Sequence, residues 1–106
     1  MAASVFLVTI RMANAARQQA AEHYVQHSFE TLRIADGVFA VESHVPVTTA
    51  LTDIRDAASD GGAADAADIL FIGTLARPYA GNLPPRAAQW VEERLPHIAG
   101  GGSGHY

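Results

Sequence analysis

Two histidines near the start of the chain have the spacing that a shared metal ion would require. His23 and His27 lie four positions apart, so a helix through this segment places both imidazole rings on one face. Zinc sites in proteins use three or four side-chain ligands, and the sequence fixes no third one here. The simpler interpretation is a solvated helix face that carries two polar residues, and we predict no bound metal or other cofactor.

A second group that could do chemistry comprises Glu42, His44 and Arg33. Glu42 and His44 are two positions apart on a predicted strand and so face the same way, and hairpin pairing brings Arg33 near them. A histidine that titrates near neutral pH could act there as a general acid or base. Neither a nucleophile nor a bound substrate is indicated. We therefore favour an interfacial or surface ion-pair network over a catalytic role for Glu42 and His44.

Polar residues flank the last predicted strand on both sides. Asp65 lies just before it and Asp68 stands at its start, and the two could bind a divalent cation. Aspartates at such positions more often solvate a loop and open a strand, which is what we predict. Arg77, Tyr79 and Arg86 follow the strand. The arginines could contact phosphate there, with Tyr79 stacked on a base. The alternative is that Tyr79 packs against a second copy of the chain and the arginines are solvated.

The composition limits the possible classes of function. The chain has 106 residues and a formal net charge of −4, which fits one globular domain. The absence of cysteine excludes disulfides and thiolate metal sites and favours a cytoplasmic location. No apolar run approaches the ~18 residues of a membrane span, so we expect no membrane partner. The basic residues are all arginines, and their scatter argues against a continuous nucleic-acid-binding stripe. They are Arg11, Arg17, Arg33, Arg55, Arg77, Arg86 and Arg94.

Cap and turn residues delimit the elements that position these side chains. Asn14 can cap a helix, Pro46 ends a strand, and Pro84-Pro85 can open a helix. The predicted order is strand, helix, strand, strand, helix, strand, helix, over residues 4–12, 15–28, 30–35, 38–45, 48–58, 68–76 and 84–95. Residues 100–106 are rich in glycine, which predicts a disordered tail after a domain that spans residues 1–99.

The dipeptide Asp36-Gly37 predicts a hairpin between the second and third strands. We expect a two-residue type I′ turn, in which both turn residues have positive φ. Pairing about this turn would place Arg33 diagonal to Glu42, within reach of a cross-strand ion pair. It would also set four apolar residues on one shared face, as the opposite pairs Ile34 with Phe39 and Leu32 with Val41.

The order of elements predicts an α+β fold of the ferredoxin-like type, with a βαββαβ four-stranded antiparallel sheet and an additional C-terminal helix. In that fold both helices cover one face of the sheet. The first and last strands are apolar on both faces, so an apolar surface would remain on the other face. We predict that a second copy covers it and forms a homodimer. The alternative is cover by the C-terminal helix, where Trp90 would serve as a packing anchor.

Three segments of the chain carry a resemblance to a known family: VFLVTIRM, DGVFAVES and DILFIGTLARPYAGNLPPRAAQWVEERL. Together they resemble the small ferredoxin-like proteins of the CRISPR-associated protein two group, and in particular its SinR-like branch. The resemblance implies a homodimer and a structural subunit that binds nucleic acid. Some members resemble metal-dependent nucleases with an aspartate at the end of the first strand. Arg11 stands at that position here, and because Mg²⁺ takes oxygen ligands, the nuclease role is in doubt.

We therefore predict a non-catalytic homodimeric scaffold that binds nucleic acid or protein. One alternative is an enzyme or ligand carrier of the dimeric α+β barrel type, in which the uncovered sheet face lines an apolar cavity. The other alternative is a metal-dependent nuclease. The residues predicted to bind a partner are Arg11, Arg33, Arg77, Tyr79 and Arg86.

Overall fold

Strands and helices follow one another in the computed structural model, which describes residues 3–77 and 81–95. The elements are β1 (Ser4–Arg11), α1 (Ala15–Ser28), β2 (Glu30–Ala35), β3 (Val38–Ser43), α2 (Val47–Ala58), a 3₁₀ turn (Ser59–Gly61), β4 (Ile69–Leu75) and α3 (Pro85–Arg94). The predicted order of strands and helices is confirmed, with small differences at the ends of elements. Tyr79 and the predicted tail at residues 100–106 lie outside the described residues.

The four strands form one antiparallel sheet in the order β2-β3-β1-β4. β1 pairs with a strand on each side and is therefore central, as expected for a strand that is apolar on both faces. β4 is equally apolar, yet it lies at an edge of the sheet. The fold is therefore α+β, with a four-stranded antiparallel sheet and three helices.

The main core lies between one face of the sheet and the helices α1 and α2. Side chains alternate along a strand, and every second residue of β1 points to this face. Phe6, Val8 and Ile10 are there, each at most 2% exposed. The predicted cap of α1 is confirmed, because the side-chain oxygen of Asn14 accepts a hydrogen bond from the amide of Ala16 at 2.7 Å. The other buried members of this core are Ala21, Val25, Phe39, Val41, Ala50, Ile54 and Ala58.

The turn at Asp36-Gly37 joins β2 and β3 as predicted, but its backbone differs from the predicted type. Gly37 has a φ of +73°, and no residue other than glycine has positive φ in the part of the chain that the structure describes. A type I′ turn needs positive φ at both positions, so this type is excluded. The carbonyl of Gly37 accepts a hydrogen bond from the amide of Ile10 at 2.7 Å, which ties the hairpin to the end of β1.

The register of the hairpin also differs from the prediction. It shifts after Arg33, so that Ile34 is an extra residue in β2, as in a β-bulge. Leu32 consequently lies opposite Ala40, and Arg33 lies opposite Phe39. The predicted pairing of the four apolar residues is wrong, because a one-residue slip moves each side chain to the other face. Ile34 packs on the side of the sheet that α3 covers.

α3 packs on the second face of the sheet and covers only part of it. Val91 and Leu95 are at most 4% exposed and contact Val5 and Ala40 of the central strands. Trp90 is half-buried at the margin of this smaller core, where the guanidinium of Arg94 stacks over its ring. A helix of the same chain thus occupies part of the surface that we expected a second copy to cover.

An ion pair connects α1 to the residue before β4. The guanidinium of Arg17 lies 3.0 Å from the carboxylate of Asp68, and it also donates to the carbonyl of Gly62 at 2.8 Å. Asp68 further accepts hydrogen bonds from the backbone amides of Ala13 and Asp65. These amides, together with Arg17, hold the pKa of Asp68 below its usual value. The interpretation of Asp68 as a residue that organises the strand start fits this arrangement.

Candidate interaction surface

Within residues 3–77 and 81–95, no element covers the second face of the sheet along β4. Ile69 and Phe71 are 54% and 64% exposed, which is unusual for two large apolar side chains on one strand face. They lie opposite Arg11 and Thr9 of β1, so the exposed area extends onto the neighbouring strand. We name this surface the open strip, and it comprises Leu7, Thr9, Ile69, Phe71 and Gly73.

The open strip results from strand alternation combined with the position of α3. Leu70 and Ile72 pack against the main core, so the alternate residues of β4 must point away from α1 and α2. α3 lies over β2 and β3 and meets β4 at Leu75, near the far end of that strand. The sequence indicated a strand that is apolar on both faces. It gave no indication that Ile69 and Phe71 would remain outside the cover of α3.

Three of the predicted partner-binding arginines lie around the hairpin end of the sheet. Arg11 and Arg33 line a cleft of about 370 Å³ together with Glu22, and Arg33 also lines a cleft of about 210 Å³ with Arg86. Arg33 pairs with Asp36 at 3.0 Å and with Glu22 at 3.9 Å. Among residues 3–77 and 81–95, neither Arg11 nor Arg86 has a hydrogen-bond or ion-pair partner. Arg11 and Arg86 are therefore the arginines at this end that form no ion pair within the described ranges.

The other two predicted partner-binding residues are not part of this arginine group. Arg77 pairs with Glu92 of α3 at 2.7 Å and lines a cleft of about 170 Å³ with Arg94 and Leu95. Its guanidinium holds the chain after β4 against α3. Tyr79 lies outside the described residues, and its predicted role stays a prediction.

The predicted group of Glu42, His44 and Arg33 is not assembled. Glu42 pairs with Arg94 of α3 at 3.1 Å, whereas Arg33 is engaged by Asp36. The slip in the hairpin register explains this separation, because it places Arg33 and Glu42 on opposite faces of the sheet. His44 is exposed just beyond the end of β3. The arrangement fits an ion-pair network better than it fits acid–base catalysis.

The histidine pair on α1 is stacked rather than splayed for metal binding. The rings of His23 and His27 lie 3.9 Å apart between centroids, and both residues are exposed. Nδ1 of His27 donates a hydrogen bond to the carbonyl of His23 at 2.9 Å, which occupies one of the ring nitrogens. In the described part of the chain, no group of three or more His, Cys, Asp or Glu side chains could hold a metal ion.

Comparisons with known proteins found no match among protein-family models, curated protein sequences or solved structures. The resemblance to the CRISPR-associated protein two group therefore stays a prediction that rests on the quoted segments. In the described ranges, no helix has the length and apolar character needed to cross a bilayer.

Proposed function

We propose that the protein is a non-catalytic homodimeric scaffold whose two copies meet at the open strip. The observation that carries this proposal is the exposure of Ile69 and Phe71, at 54% and 64%, on one face of an edge strand. A contiguous apolar surface of this kind usually marks an interaction site. Full burial of a side chain such as Ile or Phe stabilises by about 1.5–3 kcal/mol. Contact between two copies would reduce the exposure of these side chains on each protomer.

We further propose that the sheet with α1 and α2 is a ferredoxin-like unit. β1 and β2 lie on either side of β3 and are both antiparallel to it, so they run parallel to each other. This relation is the split βαβ arrangement of that fold. Although no relative matches, this strand arrangement supports the proposed likeness to the CRISPR-associated protein two group. It thereby also supports the homodimer that the likeness implies. We also propose a cytoplasmic location, which the lack of cysteine supports.

The arginine group at the hairpin end favours nucleic acid as the partner of this scaffold. Arg11 and Arg86 have no carboxylate partner in the described ranges, and an arginine fork fits a phosphate group. Arg11 lies opposite Ile69, so this end of the sheet adjoins the open strip. In a homodimer, two such ends would be present on one particle. An acidic protein segment is the other partner that this charge would accept.

The barrel-type enzyme and the nuclease have less support. A barrel would use the second sheet face as a cavity wall, but α3 covers Val5 and Ala40 there and its Arg94 engages Glu42. A nuclease would require oxygen ligands at the end of β1, where Arg11 stands. Both remain proposals of lower rank than the scaffold.

Light scattering behind size exclusion tests the scaffold proposal. We expect the unaltered chain to elute with twice the protomer mass of 11.2 kDa, and Phe71→Glu to elute as a monomer. Gln26→Glu is the matched control, because it adds the same charge on an exposed position of α1 and should leave the dimer intact. A monomeric unaltered chain at every concentration, or a Phe71→Glu variant that stays dimeric, would overturn the proposed interface.

A further inference from the structure

The free edge of β4 lacks the features that usually protect an edge strand. Native edge strands are shielded by charged side chains, proline, bulges or short length. The strand from Ile69 to Leu75 reads ILFIGTL, without a charge or a proline. Its seven residues pair with β1 in one continuous register, so that no bulge twists the edge away. The structure therefore presents an apolar edge of seven residues without a bulge, beside the open strip.

The backbone groups on this free edge can be assigned from the hydrogen bonding of β1. The amide of Ile10 donates to the carbonyl of Gly37, on the β3 side. Backbone groups of successive residues point to opposite sides of a strand, so those of Thr9 and Arg11 point towards β4. Their partners on β4 are Phe71 and Ile69.

The intervening residues of β4 consequently direct their amides and carbonyls away from β1. These residues are Leu70, Ile72 and Thr74, spaced two apart along the free edge. Among the described residues, no strand pairs with β4 on this side. A partner strand would satisfy three donors and three acceptors in one antiparallel ladder.

We propose that the occupant of this edge is β4 of a second copy, paired antiparallel about a two-fold axis at Ile72. Ile72 is the middle residue of β4, so this register alone pairs the whole strand with its counterpart. Leu70 then exchanges hydrogen bonds with Thr74 of the second copy, and Ile72 with its own equivalent, giving about six hydrogen bonds. This inference rests on the proposed homodimer and specifies how its two sheets join.

The side chains of the open strip are self-complementary in this register. Phe71 comes opposite Gly73 of the second copy, and Ile69 comes opposite Leu75. These pairs lie between the hydrogen-bonded ones, where the backbones approach to about 4.5 Å and room for side chains is smallest. Gly73 presents no side chain, and the ring of Phe71 already lies against it within its own strand. By symmetry, Phe71 of each copy lies opposite Gly73 of the other, so the large side chain faces the glycine at two places in the interface.

The two copies of Phe71 become diagonal neighbours across the axis. At this spacing aromatic side chains remain in contact, so both rings would cover the central glycines and shield them from water. A foreign strand would need its own glycine and aromatic residue at matching positions. A second copy meets that requirement by symmetry, which favours self-association at this edge.

Single cysteines test the register sharply because the natural chain contains none. Only a residue on the two-fold axis meets its own equivalent, and the Cα–Cα distance expected for Ile72, about 5.5 Å, lies in the disulfide range. We expect Ile72→Cys to shift mostly to a covalent dimer under mild oxidation on a non-reducing gel, and to return to the monomer band with dithiothreitol.

Leu70→Cys and Thr74→Cys are the matched controls on the same side of β4. Each lies about 14 Å from its own equivalent in this register, which is too far for a disulfide. We expect neither variant alone to form the covalent dimer, whereas an equal mixture of the two should form it. Circular dichroism of each variant verifies that the chain is folded.

The possible results distinguish an error in the proposed β4 register from an error in the proposed homodimer. If light scattering shows a dimer but neither Ile72→Cys nor the mixture cross-links, the register inference is wrong and the homodimer stands. If Leu70→Cys or Thr74→Cys alone cross-links efficiently, the two-fold axis lies elsewhere on the strand, and the inference is again wrong. If the unaltered chain is monomeric throughout and no variant cross-links, both proposals fail.

Discussion

Arg17 and Asp68 are 51 residues apart in the sequence and form an ion pair with an N–O distance of 3.0 Å. The Arg17 side chain is only 4% exposed, although it lies on a helix of low overall amphipathicity. Asp68 directly precedes β4, so this pair fixes the start of the strand that bears Ile69 and Phe71. The geometry of the open strip thus depends on a contact outside it.

Acid should destabilise the protein through Asp68. Because the pKa of Asp68 in the folded state is below its ordinary value of 3.8, the group contributes stability above about pH 5 that is lost as pH falls through the folded-state pKa. Urea unfolding at pH 7 and near pH 3 should therefore show a smaller pH-dependent loss for Asp68→Asn than for the unaltered chain. Asp56→Asn, an exposed carboxylate on α2, is the control. Equal losses in the unaltered chain and Asp68→Asn would contradict this assignment.

Gly61→Ala should destabilise the protein by steric overlap. A Cβ at Gly61 would approach the backbone of Ala16 and Arg17 closer than 3.0 Å, so the start of α1 would have to shift. Such overpacking costs about 1–3 kcal/mol, which urea unfolding monitored by the fluorescence of the single tryptophan can measure.

Gly81→Ala provides the control for the same chemical change. A Cβ at Gly81 has nothing within 4 Å, so the free energy of unfolding should stay the same or rise slightly. Equal effects at the two glycines would show that close packing at Gly61 is not the cause.

Removal of Arg11 and Arg86 should weaken binding of a short DNA duplex. Each arginine that contacts phosphate makes the plot of log affinity against log salt concentration steeper by about one. The slope of the double variant Arg11→Gln, Arg86→Gln should therefore be shallower by about two. Arg55→Gln changes the charge on the exposed face of α2 and should alter affinity far less. Fluorescence anisotropy at several salt concentrations measures both. No binding by the unaltered chain at low salt would remove nucleic acid from the proposal.

The Glu42–Arg94 pair should act on stability and not on catalysis. Both side chains are partly exposed, so the coupling free energy between Glu42→Gln and Arg94→Met should be about 0.2–1 kcal/mol in a double-mutant cycle.

We expect purified protein to leave DNA and RNA intact with Mg²⁺ or Mn²⁺ present. Cleavage that disappears in Glu42→Gln or His44→Ala would instead establish an enzyme.

The sequence predicted the elements well because their ends carry local chemistry. Asn14 caps α1, and Pro85 stands at the first position of α3, where its missing amide has no helical partner to lose. Strand position was harder to predict, because β1 and β4 are both apolar on two faces. Only the observed sheet shows that β4 is at an edge.

The errors concern relations between distant residues. The hairpin has apolar side chains on both faces, so a slip of one residue at Ile34 carries little penalty that a pattern could reveal. The burial of Arg17 on α1 could not be predicted from the helix alone, because its partner, Asp68, lies 51 residues further along the chain. The predicted ion pair between Arg33 and Glu42 failed in a similar way, because the partner of Glu42 is Arg94, which lies 52 residues further along the chain.

The bulge in β2 determines how far self-association can extend. If two copies join through β4, the outer edges of the combined sheet are the two β2 strands. Each β2 carries the extra residue Ile34 and the exposed charges of Glu30 and Arg33, which are features that discourage further strand addition. In that case growth into a fibre would be blocked at both ends, and assembly would stop at two chains.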